Sequence, residues 1–200
     1  MARAFFDNMT FIYSEEDNVY EPREDTYLLG RVLARLLSAE KFKKILDVGT
    51  GCGILACIAK KYCPEAKVVG VDIFENAINV AKANAAKNNL EIEFYVSDLF
   101  EKIPEGQKFD LIIFNAPYLK GEEEDKNIKG HELWLDQDVI IRFLKGLRKY
   151  LELEGKALLL LSSLTDDEVF NRMKKNFKTK LLAQQKLPWE ELYVFEISMI

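Results

Sequence analysis

The stretch Lys44-Ile45-Leu46-Asp47-Val48-Gly49-Thr50-Gly51-Cys52-Gly53 decides the fold. Its first half is a short apolar run that reads as a buried strand, and its second half is a glycine turn opening a helix over about residues 53–62. Glycines in such a turn let the backbone bend tightly and approach a ligand, while the helix start offers free N–H groups. The G-x-G-x-x-G dinucleotide fingerprint would need its third glycine at position 54, which is Ile54. The spacing is G-x-G-x-G instead, so a cradle for pyrophosphate is not indicated.

Working outward, Val68–Asp72 reads as a second strand, Asn76–Asn88 as a helix, Ile92–Val96 as a third strand and Asp110–Phe114 as a fourth. A helix fits about residues 136–151, and Ala157–Leu161 is a fifth strand. Continuous apolar strands joined by helices imply a parallel sheet covered on both faces. The end of the chain differs. Two β-rich runs, about 179–186 and 191–198, are separated only by Leu187-Pro188-Trp189-Glu190, too short for a parallel crossover of a dozen residues. The last strand must therefore run antiparallel. Upstream, Pro22 and Glu24-Asp25 mark the start of a helix over about residues 24–40, with Leu29, Val32, Leu33, Leu36 and Leu37 at helical spacing. The first 20 residues are aromatic-rich without a clear period. They read as an N-terminal extension (1–20) ahead of one core domain (21–200), a single domain over 1–200.

Composition bounds the classes. At 48% hydrophobic and 30% charged, the 200 residues exclude a collagenous or disordered chain. The balance of 28 basic and 33 acidic residues, 28 − 33 = −5, offers no electrostatic reason to expect a nucleic-acid partner. Cys52, Cys57 and Cys63 are odd in number and the lone His131 is far from them, so no metal site is expected and the thiols read as reduced, in a cytoplasmic protein. No apolar run reaches ~18 residues and the start lacks a signal-type apolar run, so no membrane association is expected.

Acidic residues recur at the strand ends: Asp47, Asp72 and, in Ser97-Asp98-Leu99, Asp98. Each alone is an ordinary turn or cap residue. A carboxylate in the place of Asp72 accepts both hydroxyls of a ribose diol. Together with the glycine loop the pattern resembles the class I S-adenosylmethionine-dependent methyltransferases. That resemblance implies a Rossmann-like seven-stranded α/β sheet, mostly parallel with an antiparallel last strand and helices on both faces, and S-adenosyl-L-methionine as cofactor.

Asn115-Ala116-Pro117-Tyr118 directly follows the fourth strand and is similar to the N-P-P-Y motif of methyltransferases that modify planar nitrogens. A lone pair delocalised into a carbonyl or ring is a poor nucleophile. The Asn115 side-chain oxygen and the Ala116 carbonyl would accept its two N–H bonds, Tyr118 would stack on the planar group, and Pro117 would stiffen the loop. Ala116 stands where the motif has its first proline, which leaves the carbonyl in place. Val19-Tyr20-Glu21-Pro22-Arg23-Glu24-Asp25-Thr26 resembles the Y-E-P-x-E-D-T segment of the eukaryotic and archaeal methyltransferases that act on the glutamine of the release-factor Gly-Gly-Gln tip.

By that resemblance Thr26, Asp47, Gly49, Gly51, Gly53, Asp72, Asp98 and Leu99 line the cofactor. Asn115, Pro117 and Tyr118 are the catalytic loop, and Asn115, Ala116, Tyr118 and Trp134 meet the substrate. Trp134 is equally well a core residue. The implied reaction is methylation of a glutamine side-chain amide in a protein, a release factor, and the implied partner is a small zinc-binding activator subunit. Two alternatives remain open: methylation of an exocyclic amino group of adenine or guanine in DNA or RNA, which the Asn115 motif permits equally, and a non-catalytic cofactor-binding scaffold. The run Glu122-Glu123-Glu124-Asp125 beside the loop would repel a phosphate backbone, which favours protein.

Overall fold

The apolar runs become a seven-stranded sheet: β3 (Lys44–Val48), β4 (Lys67–Asp72), β5 (Glu93–Val96), β6 (Phe109–Asn115), β7 (Leu151–Ser162), β8 (Lys178–Lys186) and β9 (Glu191–Ser198), in the order β5-β4-β3-β6-β7-β9-β8. The structure is a computed structural model, and it describes residues 2–6, 9–13, 19–118 and 138–200. Ile45 to Val48 and Leu111 to Phe114 are buried without interruption, so both faces of the central strands are covered. β3 pairs in parallel with β4 on one side and β6 on the other, and β9 inserts antiparallel between β7 and β8. The chain thus winds outward from β3 to β5 and returns to β6 beside β3. That reversal opens a crevice outside the carboxyl ends of β3 and β6, where open α/β sheets bind ligands.

Five helices complete the described fold: α1 (Glu24–Ala39), α2 (Ile54–Tyr62), α3 (Glu75–Lys87), α4 (Asp138–Tyr150) and α5 (Asp167–Asn176). α1 forms because Leu28, Leu29, Val32, Leu33 and Leu37 make one buried stripe, with Glu24 and Asp25 favourable at its positive end. Four of these helices fall where periodicity places them. The fifth, α5, had no sequence expectation, because only Val169 and Met173 of its ten residues are buried and so weak a stripe hardly registers against its polar neighbours.

Two further differences have physical reasons. β7 begins at Leu151 rather than Ala157, because Phe109 pairs with Leu151 and Leu111 with Lys156, leaving the residues between out of register. The aromatic N-terminal stretch is a hairpin, β1 (Ala2–Phe6) against β2 (Met9–Tyr13). Its alternation is real but short: Ala4, Phe6, Phe11 and Tyr13 face inward, while Phe5 and Ile12 are exposed. Phe6 stacks on Tyr27 at 5.3 Å and lies where a side chain at Gly30 would be, its ring carbon 2.3 Å from that Cβ position. Asn88 then grips the hairpin, accepting from the Ile12 N–H at 3.1 Å and donating to its carbonyl at 2.8 Å.

Gly53 fixes the junction of the glycine loop with α2. Its φ is +81°, and an added Cβ would lie 2.9 Å from the Ala81 Cβ and 3.0 Å from the Ala81 backbone of α3. Both the left-handed backbone and the contact penalise a side chain. Gly53→Ala should cost at least about 2 kcal/mol, lowering Tm by roughly 4–8 °C in a chain of this size. An unchanged melting curve would contradict the close packing of α2 on α3.

Candidate active site

The glycine loop is clamped from two sides. Asp47, fully buried at the end of β3, accepts the Thr50 hydroxyl at 2.6 Å and the Ala56 N–H in the first turn of α2 at 3.1 Å. Asp72 closes β4 and accepts the Gly51 N–H at 2.9 Å and the Phe74 N–H at 3.0 Å. Gly49 and Gly51 between them have φ of +61° and +53°, so glycine is needed there. Burial pushes the Asp47 carboxyl up to about 7, opposed by the bonds from Thr50 and Ala56. Its second oxygen has no partner among the described residues, as suits a group that spends part of its time protonated. Burial also raises the Asp72 carboxyl, while the N–H groups of Phe74, Gly51 and Ile73 hold it down.

A third acidic residue closes the loop after β5. Ser97 donates its N–H to the Asp72 carbonyl at 2.8 Å, and Leu99 takes a left-handed φ of +48°. A branched hydrophobic residue in that region is strained, and such strain gathers at ligand sites. The Asp98 carboxylate accepts from Arg142 of α4 at 2.7 Å. Arg142 therefore lines the cavity although its helical spacing reads as a solvated face; the signal that would have found it is a complementary charge far off in sequence.

Asn115 ends β6, paired with Leu160 of β7. Its Nδ2 donates to Asp25 Oδ2 at 3.0 Å and to Thr26 Oγ1 at 3.3 Å. A carboxylate only accepts, so the amide nitrogen faces Asp25 and the amide oxygen faces away. That oxygen, Oδ1, is buried with no partner among the described residues. Asp25 is the hub here: it also takes the Tyr20 hydroxyl at 2.9 Å and the Thr26 N–H at 2.6 Å. Burial foremost, then the Asp25 carboxylate, raises both Tyr20 and Tyr118 far above the ordinary phenol range, so both stay protonated donors.

Thr26, Gly49, Gly51, Asp72, Asp98, Leu99, Asn115, Ala116, Pro117 and Tyr118 all line one cavity of about 800 Å³. Asp47 and Gly53 stand behind its wall, holding the loop and the start of α2. Trp134 lies outside the described residues, as do His131 and the acidic run at 122–125. The cavity adds residues that sequence reasoning did not select: Tyr20, Asp25, Arg142 and the turn between β8 and β9. Cys52 also borders it, but burial pushes its thiol up to about 12 and raises Cys57 as well, so neither is a nucleophile. Among the described residues no cluster could hold a metal ion, and no helix is long and apolar enough to cross a membrane.

The arrangement fits an amino-acid and nucleoside ligand better than a pyrophosphate. Two left-handed glycines bring backbone against the cavity, and the Asp72 carboxylate lines it at the end of β4. Asp98 and Leu99 lie one strand further, and the volume is of the size small-molecule sites occupy. Comparison with known proteins gives the class. Residues 30–188 match the methyltransferase small domain, and the chain belongs to that family. It is an S-adenosylmethionine-dependent methyltransferase.

Among its relatives is a Methanocaldococcus jannaschii protein named "Putative protein N5-glutamine methyltransferase", 39% identical over 88% of this chain and 89% of that protein. A release factor glutamine methyltransferase of Koribacter versatilis is 42% identical over 52% of this chain, which spans only 38% of that longer protein. The E. cuniculi Mtq2–Trm112 complex, responsible for methylation of the eRF1 translation termination factor, matches with a TM-score of 0.67 at 25% identity, covering 92% of this chain and 99% of that one.

Asp47 makes a pH-dependent contribution to stability. Its folded value of about 7 exceeds the ordinary 3.8. The contribution is therefore full below about pH 4 and is lost as the pH rises toward 7. The stability of the wild type relative to Asp47→Asn should rise by on the order of 1–2 kcal/mol between pH 7 and pH 5, read from urea midpoints. A difference that stays constant with pH would show that Asp47 is ionised throughout.

Proposed function

We propose that this protein methylates the side-chain amide nitrogen of a glutamine in a protein substrate, a peptide-chain release factor. One observation carries the reading: the buried Asn115 Oδ1, without a partner among the described residues and held with its nitrogen turned away by Asp25 and Thr26. An acceptor left unpaired in a cavity is costly unless an incoming donor satisfies it, and a primary amide brings two N–H groups. Asn115 takes one, and the carbonyl of Ala116, the next residue of the loop, takes the other. Holding both turns the nitrogen lone pair toward the cofactor side of the cavity and stabilises the positive charge that develops on nitrogen. Tyr118 is buried beside it, a flat aromatic wall for a planar group.

When bound, S-adenosylmethionine supplies an electrophilic methyl on a sulfonium. Held by Asn115 and the Ala116 carbonyl, the amide nitrogen would take that methyl, its bond to sulfur breaking as the bond to nitrogen forms, and would then lose a proton to water. No strong base is required. Glutamine is favoured over a nucleobase by the charge at the cavity: Glu24, Asp25, Asp72, Asp98 and Glu190 against Arg23 and Arg142. A phosphate chain would meet net negative charge there. The relatives named for glutamine methylation support the same choice.

A small zinc-binding activator fits the β5 edge of the sheet. Tyr95 and Val96 of that edge strand and the neighbouring Ile73 are exposed, whereas the β8 edge carries Lys178, Lys180 and Lys186, charges that blunt pairing. Tyr95→Lys should abolish co-purification of such a subunit while leaving Tm of the isolated chain within about 2 °C, as expected for a surface change; retained co-purification would place the partner elsewhere.

Labelled methyl transfer to a protein bearing a Gly-Gly-Gln tip tests the main reading. Asn115→Ala should cut kcat about 10²–10³-fold with cofactor affinity unchanged. Asp72→Ala should instead weaken cofactor binding by about 1–3 kcal/mol. Transfer by Asn115→Ala at the wild-type rate, or label that appears only in nucleic acid, would sink the assignment.

A further inference from the structure

Three buried side-chain oxygens have no hydrogen-bond partner among the described residues: Asp47 Oδ1, Asn115 Oδ1 and Glu190 Oε2. The first belongs to a carboxyl whose burial brings it close to neutral, and the second awaits the acceptor amide. The third has no role so far. Glu190 sits in the turn between β8 and β9, and Leu187, Pro188, Trp189 and Glu190 all line the cavity.

The turn is held firmly. Leu187 N–H donates to the Glu190 carbonyl at 2.8 Å, Ser163 N–H donates to the Glu191 carbonyl at 2.8 Å, and Glu191 N–H donates to Ser163 Oγ at 3.0 Å. Arg31 of α1 reaches Gln185 of β8 at 3.0 Å, fastening the hairpin against the helix that carries Asp25. The Glu190 carboxylate takes one hydrogen bond, from the Ser162 side chain, and lies near enough to Asp25, Glu24 and Tyr118 for the charges to be felt. Burial is the main cause of its raised pKa. Beside it the Trp189 indole is 78% exposed, a large apolar ring left in water at a cavity wall.

A desolvated carboxylate oxygen without a donor is costly, and a fold that keeps one at a substrate cavity gains when a donor arrives. A glutamine side chain reaching Asn115 necessarily brings its own peptide backbone to the cavity wall. Each backbone N–H of that peptide needs an acceptor once water is excluded. The orphan acceptor and the orphan donor are complementary.

We propose that the β8–β9 turn is the peptide-recognition element of the acceptor site: Glu190 Oε2 accepts a backbone N–H of the peptide carrying the target side chain, and the Trp189 ring covers that peptide from solvent. This rests on the glutamine reading above and extends it to the peptide flanking the target. A free base or a free amide would not engage the turn, so it selects acceptors that come attached to a peptide chain. Glu190 is thus a specificity-determining residue rather than part of the methyl-transfer machinery.

The experiment is steady-state methyl transfer by the full chain to a Gly-Gly-Gln peptide, with saturating cofactor. Glu190→Gln and Glu190→Ala should raise the KM for peptide about 10-fold, the usual worth of a hydrogen bond to a charged acceptor, with kcat and cofactor affinity held. Trp189→Ala, a change at an exposed ring, should raise KM several-fold without moving Tm. Replacing flanking glycines one at a time by N-methylglycine should locate the donor: at one position the wild type suffers the same rise in KM, and Glu190→Gln suffers no further rise. Wild-type transfer to the peptide with unaltered KM in the Glu190 variants would overturn this inference alone, as would losses that add at every position. A wild type that labels nucleic acid and no glutamine peptide would overturn the glutamine reading and this inference with it.

Discussion

The site depends on two carboxylates at the ends of neighbouring parallel strands. Val48 of β3 pairs with Val71 of β4, so Asp72 projects one residue beyond the pairing, alongside the glycine turn that β3 enters. Its oxygen meets the Gly51 N–H at 2.9 Å, while Asp47 reaches forward to Thr50 and Ala56. Three glycines in left-handed conformations would be an entropic liability if unrestrained. Clamped at both sides, they become a rigid floor, and α2 is set against α3 by the same turn. Asp72 is both clamp and cavity wall, so changing it affects loop geometry and ligand contact together, whereas Asp47 acts only through the loop.

The second half of the site is built by a contact between distant parts of the chain. Asp25 and Asn115 are separated by 90 residues and meet at 3.0 Å. The first turn of α1 thereby decides which way the Asn115 amide faces. An amide free to flip would present its oxygen or its NH₂ with similar ease. Anchored by an acceptor-only partner, it presents only oxygen. Positioning of this kind costs nothing at the moment of reaction, which is why preorganised polar groups outweigh flexible ones in transition-state stabilisation.

What the sequence disclosed and what it hid follow from this division. The strands, the glycine turn and Asp72 are local patterns: apolar runs, a turn only glycine tolerates, an acid at a strand end. The Asn115 loop was legible for the same reason, as four adjacent residues. Asp25 was read as a favourable charge at a helix start, which it is, but its partner lies across the fold. Arg142 was hidden by its own periodicity, since Arg142, Lys145, Arg148 and Lys149 look like one solvated face until Asp98 is brought beside it. Glu190 was hidden more deeply. A turn of four residues with proline and tryptophan reads as a connection, and only the insertion of β9 between β7 and β8 carries it to the cavity.

Charge links the two halves. Five carboxylates and two guanidinium groups line the cavity, and Arg142 is already paired with Asp98. In the proposed transfer the methyl would carry positive character, and the amide nitrogen receiving it would become briefly cationic. Both would be favoured by the carboxylates next to the transfer site, Asp25 at Asn115 and Asp72 at the glycine loop, because the low dielectric of a partly buried cavity strengthens the attraction. The same enclosure opposes a phosphate backbone. On the proposed function, catalytic need and substrate choice therefore favour the same charge. The cost is that the carboxylates repel one another: burial first, and then the charges of Asp25 and Glu24, raise the Glu190 carboxyl. The peptide acceptor proposed above would relieve that repulsion by bringing hydrogen-bond donors, the side-chain amide and its own backbone N–H groups.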